Sequence, residues 1–232
     1  MKKALLLIVS ILLSFPLFSQ SDTTLFSQAI RIDLNKYKKQ TALAYRKGDF
    51  ERGQFLFDSL VHNRLTGTKF DFTRLKKSNG RKLDITRIEK PIILITYSSW
   101  CITSKGEIPA INKLARKYGK DVQFVVLFWD RKHNMKKIAR KFSSRIITCY
   151  AHESYRNDEQ IVAALKHTLG FPTTYFFDEN LQVIDIRRCG MKLCPKKTPY
   201  EKAFAINYNS YVEGLSTIII DKDLSKDMLA VK

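Results

Sequence analysis

The sequence predicts an α/β fold with a central mixed sheet flanked by helices. Two continuous apolar, β-rich runs, residues 91–97 and 122–129, are typical of strands buried on both faces of a sheet. Segments with the apolar spacing of helices follow them, and two later strand patterns, residues 173–177 and 182–187, are joined by a turn at Glu179-Asn180. Strands that alternate with helices and then end in a hairpin indicate such a mixed sheet.

The N-terminal twenty residues have the layout of a cleaved secretory signal. Lys2 and Lys3 form a positive region, residues 4–18 are almost continuously apolar, and small or polar residues follow at 19–21. The apolar run is short for a membrane span and contains Pro16, although an uncleaved membrane anchor is the alternative. We therefore expect an exported protein, periplasmic or extracellular, with no transmembrane segment in the mature chain.

The pattern of apolar residues over 21–65 predicts a helical appendage. Apolar residues recur at helical spacing on both sides of Lys47-Gly48-Asp49, which predicts a turn between two helices. Residues 42–60 resemble a single tetratricopeptide-type helical hairpin, and such units need neighbours to bury their apolar faces. With one copy present, we expect a hairpin packed on the main domain rather than a solenoid.

An N-terminal β-hairpin is predicted next. Residues 69–73 alternate polar and apolar side chains, Asn79-Gly80 is a strong hairpin turn, and residues 82–88 alternate again. After it, the apolar spacing predicts a short strand over 146–150 and helices, listed here in chain order: 104–118, 132–143, 158–168 and 199–214.

The charge balance is strongly basic. The chain has 41 Lys and Arg against 22 Asp and Glu, a formal charge of +19 that falls to +17 without the signal. These residues are spread along the chain, with no Arg-rich arm or aromatic-basic groove, and export also argues against a nucleic-acid partner. Long-range attraction to anionic partners or membrane headgroups is one interpretation. A cationic surface with no particular partner is the other.

The histidines have no metal-ligand spacing. His62, His133, His152 and His167 are scattered, and none is spaced with another His or Cys as zinc ligands are. We predict no metal and no cofactor.

Cys101 lies where the first buried strand ends and the helix predicted over 104–118 begins. At a helix start, free N–H groups and the positive end of the dipole favour a thiolate over a thiol, and the thiolate is the reactive form. Lys105 adds nearby positive charge. The position predicts a nucleophilic cysteine. A buried structural cysteine beside a turn is the alternative.

Four motifs surround this cysteine in a fixed order. Residues 97–101 read Tyr-Ser-Ser-Trp-Cys, a Glu-x-Pro places Glu107 six residues after the cysteine, residues 171–174 read Phe-Pro-Thr-Thr, and residues 178–184 contain an acidic turn. This series resembles the thioredoxin superfamily, and within it the exported TlpA/ResA-like thiol–disulfide oxidoreductases. The resemblance covers roughly residues 66–215 and implies a thioredoxin-like fold. We therefore divide the chain as listed: signal peptide 1–20, helical appendage 21–65, thioredoxin-like domain 66–220 and polar, loose tail 221–232.

The resemblance implies a role for each matching residue. Cys101 would attack a disulfide and form a mixed disulfide. A cis Pro172 would expose the backbone of Phe171 to pair with a substrate strand, and Trp100 would form the apolar rim where partners dock. Core packing is the alternative for Trp100. Glu107 would be a buried acid that helps proton transfer at the second cysteine of the family motif. In the same helix, Pro109 would produce a kink.

The motif departs from the family at Ser104, where the second cysteine should stand. A serine hydroxyl cannot attack the mixed disulfide, so the ordinary reductase cycle is blocked at this pair, and Glu107 loses its usual proton-transfer partner. A hydrogen bond from Ser104 would still favour the Cys101 thiolate.

Another cysteine could resolve the intermediate. Cys189, at the end of the last strand, could approach Cys101, could pair with Cys194 in a short loop, or could remain free. Cys149 lies in a short apolar strand and is predicted to be a core residue.

Two functions remain open. The first is thiol–disulfide exchange through Cys101 on exported proteins with thiols or disulfides, as an isomerase or with an external thiol reductant. The second is a redox-inactive module that holds extended segments against Trp100, Phe171 and Pro172. A peroxidase is disfavoured, because the Trp-Cys motif resembles a thioredoxin site.

Overall fold

The computed structural model describes residues 23–32, 34–101, 105–188 and 198–230, with side chains up to residue 219. The helices are α1 Phe26–Ala29, α2 Leu34–Arg46, α3 Phe50–Leu60, α4 Glu107–Tyr118, α5 Lys132–Ala139, α6 Glu159–Ile161 and α7 Tyr200–Ala230. The strands are β1 Arg74–Lys77, β2 Lys82–Asp84, β3 Ile92–Tyr97, β4 Gln123–Phe128, β5 Ile146–Tyr150, β6 Thr173–Phe177 and β7 Val183–Arg187. Helices α3 and α6 continue into π-helical segments, Val61–Leu65 and Val162–Leu169.

The seven strands form one mixed sheet in the order β2-β1-β5-β4-β3-β6-β7. Strands β3, β4 and β5 are parallel, and the remaining pairs are antiparallel. Helices lie on both faces. This confirms the predicted fold class, a thioredoxin-like α/β fold with a central mixed sheet flanked by helices. The carboxyl ends of β3 and β4 and the start of β6 meet at one edge of the sheet, because Tyr97 pairs with Phe128 and Thr96 pairs with Thr173.

Each face of the sheet covers its own apolar core. In β4, Val125 and Leu127 belong to one core, while Phe124, Val126 and Phe128 belong to the other. This explains why the strand has no polar alternation. The first core also contains side chains of the N-terminal helices, and the second contains those of α4 and α7. The N-terminal helices are therefore packed against the sheet.

The helical hairpin of α2 and α3 has the predicted turn. Gly48 has a φ of +71°, which favours glycine, and the side chain of Asp49 accepts a hydrogen bond from the amide of Arg52 at 2.8 Å. This N-cap starts α3 immediately after the turn.

The predicted strand at 69–73 is wrong. Lys69 makes only isolated bridges, and β1 begins at Arg74. The apolar members of the alternation instead enter an aromatic cluster, where Phe70 lies 5.4 Å from Phe26 and 4.7 Å from Phe177 between ring centroids. The alternation therefore reflects burial rather than strand pairing. The second strand is also shorter than predicted, because the Asp84 carboxylate accepts from the Thr86 amide and starts a 3-10 turn.

Three helices have boundaries that differ from the predicted ones. Helix α4 begins at Glu107 rather than residue 104, and α5 ends at Ala139 rather than 143. Helix α7 was expected to end at 214, but it extends to Ala230 through most of the segment expected to be a loose tail. Residues 1–20 lie outside the described residues, and no helix among those described is long and apolar enough to cross a membrane.

Candidate functional site

The Cys101 loop leaves the sheet at the carboxyl end of β3. The amide of Cys101 donates to the carbonyl of Ser98 at 3.0 Å, which closes a tight turn. On the neighbouring strand the amide of Trp129 donates to the carbonyl of Tyr97 at 2.8 Å. This bond continues the β3–β4 ladder by one step and brings the next residue, Asp130, beside the loop.

Asp130 holds the loop in place. Its carboxylate accepts from the amide of Ser99 at 2.7 Å, from the hydroxyl of Ser99 at 2.5 Å and from the hydroxyl of Ser98 at 3.3 Å. Asp130 is only 4% exposed, so these charge-assisted bonds are made away from bulk water. Sequence reasoning missed this residue. The available signal was an aspartate directly after a buried parallel strand, at the sheet edge where sites form in open α/β sheets.

The Cys101 thiol is half-buried and free, and its pKa is raised to about 11. Burial is the largest cause, the backbone hydrogen bond with Ser98 opposes it, and the negative charges of Glu107 and Asp130 add to the increase. This direction is opposite to the expected preference for a thiolate. Two carboxylates and desolvation dominate, and α4 begins at Glu107, so Cys101 is not in the first turn of that helix.

Pro109 and Gly106 explain where α4 begins. Pro109 is in the first turn, where backbone N–H groups have no intrahelical acceptor, so it removes no hydrogen bond and the reason for expecting a kink does not apply. Gly106 caps the helix against α7. A Cβ at this position would lie 2.3 Å from the backbone nitrogen and Cα of Phe204, so no larger residue fits without moving that helix.

Glu107 is buried, as the motif predicts, with 3% of its surface exposed in the first turn of α4. Lys105 is exposed. Ser104, a candidate hydrogen-bond donor to the Cys101 thiolate, lies outside the described residues.

Trp100 and Phe171 form an aromatic pair beside Cys101. Trp100 is 68% exposed, which excludes the core-packing alternative, and its ring meets Phe171 edge-on with centroids 5.3 Å apart and planes at 81°. Phe171 is partly buried against the core that includes the N-terminal helices. The two rings pack against each other, and Cys101 directly follows Trp100 in the chain.

The Phe171–Pro172 peptide bond is cis. The residue that follows is bound to the end of β3 in both directions. The hydroxyl of Thr96 donates to the carbonyl of Thr173 at 2.9 Å and accepts from its amide at 3.1 Å, with both groups buried. The loop of 170–172 is thereby fixed relative to the strand that carries Cys101.

Cys149 does not belong to this site. Cys149 is a fully buried free thiol in β5, which confirms the core prediction, and burial raises its pKa to about 12. Cys189 and Cys194 lie outside the described residues. His152 and His167 approach Glu153 at 3.5 and 3.6 Å, but no cluster suited to a metal occurs in the described part of the chain.

The chain is similar in sequence to a curated protein. The chain is 26% identical over 117 residues to the thioredoxin-like protein YneN of Bacillus subtilis (strain 168), across 50% of this chain. The match spans 66% of that relative, slightly less than two thirds of its length. No family model matches the chain.

Among solved structures, dsbF of MTB in mixed oxidised and reduced forms has a TM-score of 0.41 at 20% identity, over 57% of this chain and 93% of that one. The thioredoxin domain of a thiol-disulfide oxidoreductase from Bacteroides vulgatus has a TM-score of 0.46 at 14% identity, over 60% and 90%. These likenesses concern the fold alone. The chain has a thioredoxin-like fold with thiol–disulfide oxidoreductases among its neighbours.

Proposed function

We propose that this chain carries out thiol–disulfide exchange on exported proteins through one active-site cysteine, Cys101. The observation that carries the proposal is a free, half-buried thiol at Cys101, directly after Trp100, whose exposed ring packs edge-on against Phe171. A disulfide in an extended segment laid along this pair meets the thiol. The amide and carbonyl of Phe171 form no backbone hydrogen bond within the described part of the chain, so they are available for strand-like pairing.

The exchange reaction uses one cysteine of this chain. The Cys101 thiolate attacks one sulfur of a substrate disulfide, a mixed disulfide forms, and the other sulfur leaves as a thiolate that takes up a proton. Another thiol of the same substrate can then attack the substrate sulfur of the mixed disulfide. This releases Cys101 as a thiolate, and the substrate disulfide is rearranged without net oxidation. If an external thiol attacks Cys101, the substrate leaves as a thiol, and a second external thiol removes the first as the external disulfide.

The raised pKa of Cys101 sets the rates of these steps. With a pKa of about 11, only about one thiol in 10⁴ is ionised at pH 7. Attack from the resting protein is therefore slow. A basic thiolate is also a poor leaving group, so a mixed disulfide, once formed, persists until another thiol resolves it. The proposal is thus a slow exchanger with long-lived covalent intermediates. Within it, Ser104 as a thiolate partner and Glu107 as a proton-transfer group remain predictions.

The second candidate is the redox-inactive binding module. The observation that favours it is the same raised pKa of Cys101 together with the 68% exposure of Trp100, which suits reversible docking. In this function Trp100, Phe171 and Pro172 hold an extended segment, and the thiol is incidental.

The test of exchange is site-resolved iodoacetamide labelling of Cys101 against pH, combined with insulin reduction and refolding of scrambled ribonuclease. We expect labelling to increase about tenfold per pH unit up to about pH 11, and activity to disappear in Cys101→Ser but persist in Cys149→Ala. Absence of both activities at pH 9 in the unsubstituted protein contradicts the proposal.

Partner capture separates the two candidates. The exchanger loses every disulfide-linked partner in Cys101→Ala. Equal capture by Cys101→Ala and the unsubstituted protein, with and without reductant, instead supports the binding module.

Export is proposed on the layout of residues 1–20 alone. N-terminal sequencing of the protein from the extracytoplasmic fraction should begin close to residue 21. A chain that keeps Met1 and stays in the cytoplasm contradicts export.

A further inference from the structure

Arg188 follows β7 and contacts two separate parts of the molecule. One guanidinium nitrogen, Nη1, donates to the hydroxyl of Tyr45 at 2.7 Å. The other, Nη2, donates to the carbonyl of Leu169 at 3.0 Å and to the hydroxyl of Tyr37 at 3.4 Å. The guanidinium carbon lies 4.1 Å from the ring centroid of Phe57, a cation–π contact. Tyr37, Tyr45 and Phe57 belong to the helical hairpin of α2 and α3.

The Leu169 carbonyl lies directly before the loop of 170–172. Leu169 ends the π-helical segment, Gly170 turns the chain with a φ of +77°, and Phe171 and Pro172 follow immediately. The last carbonyls of a helix have no intrahelical donor, and a basic side chain stabilises them. Arg188 supplies that donor. Its side chain is therefore bound at one end to the helical hairpin and at the other to the residue that leads into the loop.

The contacts require the shape of arginine. Its planar fork reaches two phenol oxygens and one carbonyl while its face covers an aromatic ring, which the single ammonium of lysine cannot do. No ion pair between Arg188 and a carboxylate occurs among the described residues. The described contacts therefore fix the relative position of the hairpin and the loop.

We propose that Arg188 is a positioning residue, which couples the helical hairpin to the Phe171–Pro172 loop and holds Phe171 against Trp100 in the arrangement that accepts a disulfide-bearing segment. This inference rests on the proposed exchange at Cys101. It gives the N-terminal helices a part in substrate docking, although their own residues are remote in sequence from the thiol.

The test compares two disulfides at pH 9: neutral 2,2′-dithiodipyridine, which is too small to need the loop, and a disulfide-linked dimer of an extended peptide. The Cys101-dependent rate is obtained by subtracting the rate of Cys101→Ser. We expect Arg188→Met and Arg188→Lys to raise the half-saturating peptide concentration about tenfold or more, and to change the small-disulfide rate less than about twofold.

The matched control is Arg187→Met. Arg187 precedes Arg188 in the chain but binds Asp185 and Glu213, so its loss should leave both rates unchanged. Tyr45→Phe removes one acceptor with little change of shape. It should weaken peptide reaction by a smaller factor, and it should add nothing further in an Arg188→Met background. This variant also serves if Arg188→Met does not fold.

The outcomes are distinct. Unchanged peptide reaction in Arg188→Met, or an equal decrease with both disulfides, overturns the positioning role while exchange at Cys101 stands. If the unsubstituted protein reacts at Cys101 with neither disulfide, the exchange function is itself wrong, and the inference fails with it.

Discussion

Cys101 and Cys149 are both free thiols with raised pKa values, yet they lie in opposite surroundings. Cys101 is half-buried in a loop at the sheet edge, and the charges of Glu107 and Asp130 add to the effect of burial. Cys149 is fully buried in β5, where burial dominates and the charge of Lys77 opposes it. A raised pKa therefore does not distinguish a site from a core position. Access to the sulfur and the neighbouring charges do.

The largest expected difference between the two thiols is in alkylation. Cys149 reacts only after the sheet opens locally, and its thiolate is also the scarcer of the two. We expect Cys101 to be alkylated at least about 10³-fold faster at pH 9. Pulse labelling with peptide mass spectrometry measures both sites in one sample. Similar rates would show that β5 opens as readily as the Cys101 loop, and the comparison would fail.

Substitution by serine should affect stability more at Cys149 than at Cys101, the opposite order to the alkylation rates. Cys149→Ser places a hydroxyl in an apolar core and should lower the free energy of unfolding by about 1–3 kcal/mol. Cys101→Ser, in a half-exposed position, should change it by less than about 0.5 kcal/mol. Urea denaturation followed by circular dichroism gives both values. A larger loss at Cys101 would assign that residue a structural role.

Alkaline pH should reveal the buried thiol as a loss of stability. The native pKa of Cys149 is about 12, whereas the unfolded thiol ionises near its ordinary value, so above about pH 9 the unfolded state binds fewer protons. The contribution of this thiol to the free energy of unfolding is fully present below that pH. It is lost as the pH rises toward the native pKa, by up to about 1.4 kcal/mol per pH unit.

Cys149→Ala removes this contribution and controls for the lysines and tyrosines that titrate in the same range. Denaturation midpoints between pH 8 and pH 10.5 should converge for the two proteins as pH rises. Parallel curves would mean that the Cys149 thiol keeps an ordinary pKa.

The smallest effect concerns a single charge at the Cys101 loop. Asp130→Asn keeps an acceptor for the Ser99 amide but removes the negative charge, so the pKa of Cys101 should fall and its alkylation at pH 8 should rise, by at most about tenfold. Cys149 in the same sample is the internal reference and should not change. Slower labelling of Cys101 would show that Asp130 acts through loop geometry alone.

The same contrast explains what the sequence could predict. The buried strands β3 and β4 were found because continuous apolar runs have few other structures available. Cys149 was placed correctly in the core for the same reason. The alternation at 69–73 is misleading, because Phe70 is buried against Phe26 and Phe177 although it belongs to no strand. Burial and pairing produce the same alternation in a sequence.

The sequence motifs predict which residues form the site, but they do not predict the charges that surround the Cys101 thiol. The ring of Trp100 packs against Phe171, but the sequence could not show that Asp130, 31 residues after Ser99, would bind the loop. The charge at Cys101 depends on how far the thiol is desolvated and which carboxylates surround it. Both are properties of the packed chain, and a local motif at a helix start does not contain them.

The close contact of Gly106 with the backbone of Phe204 joins two segments that are synthesised at different times. Cys101 is synthesised about a hundred residues before α7, which at ordinary translation rates is about 5–20 s. Until α7 arrives, the start of α4 lacks the surface against which Gly106 packs. During that interval Gly106 has no helix to pack against. The start of α4, a few residues after Cys101, therefore reaches its final packing only when the last helix is made.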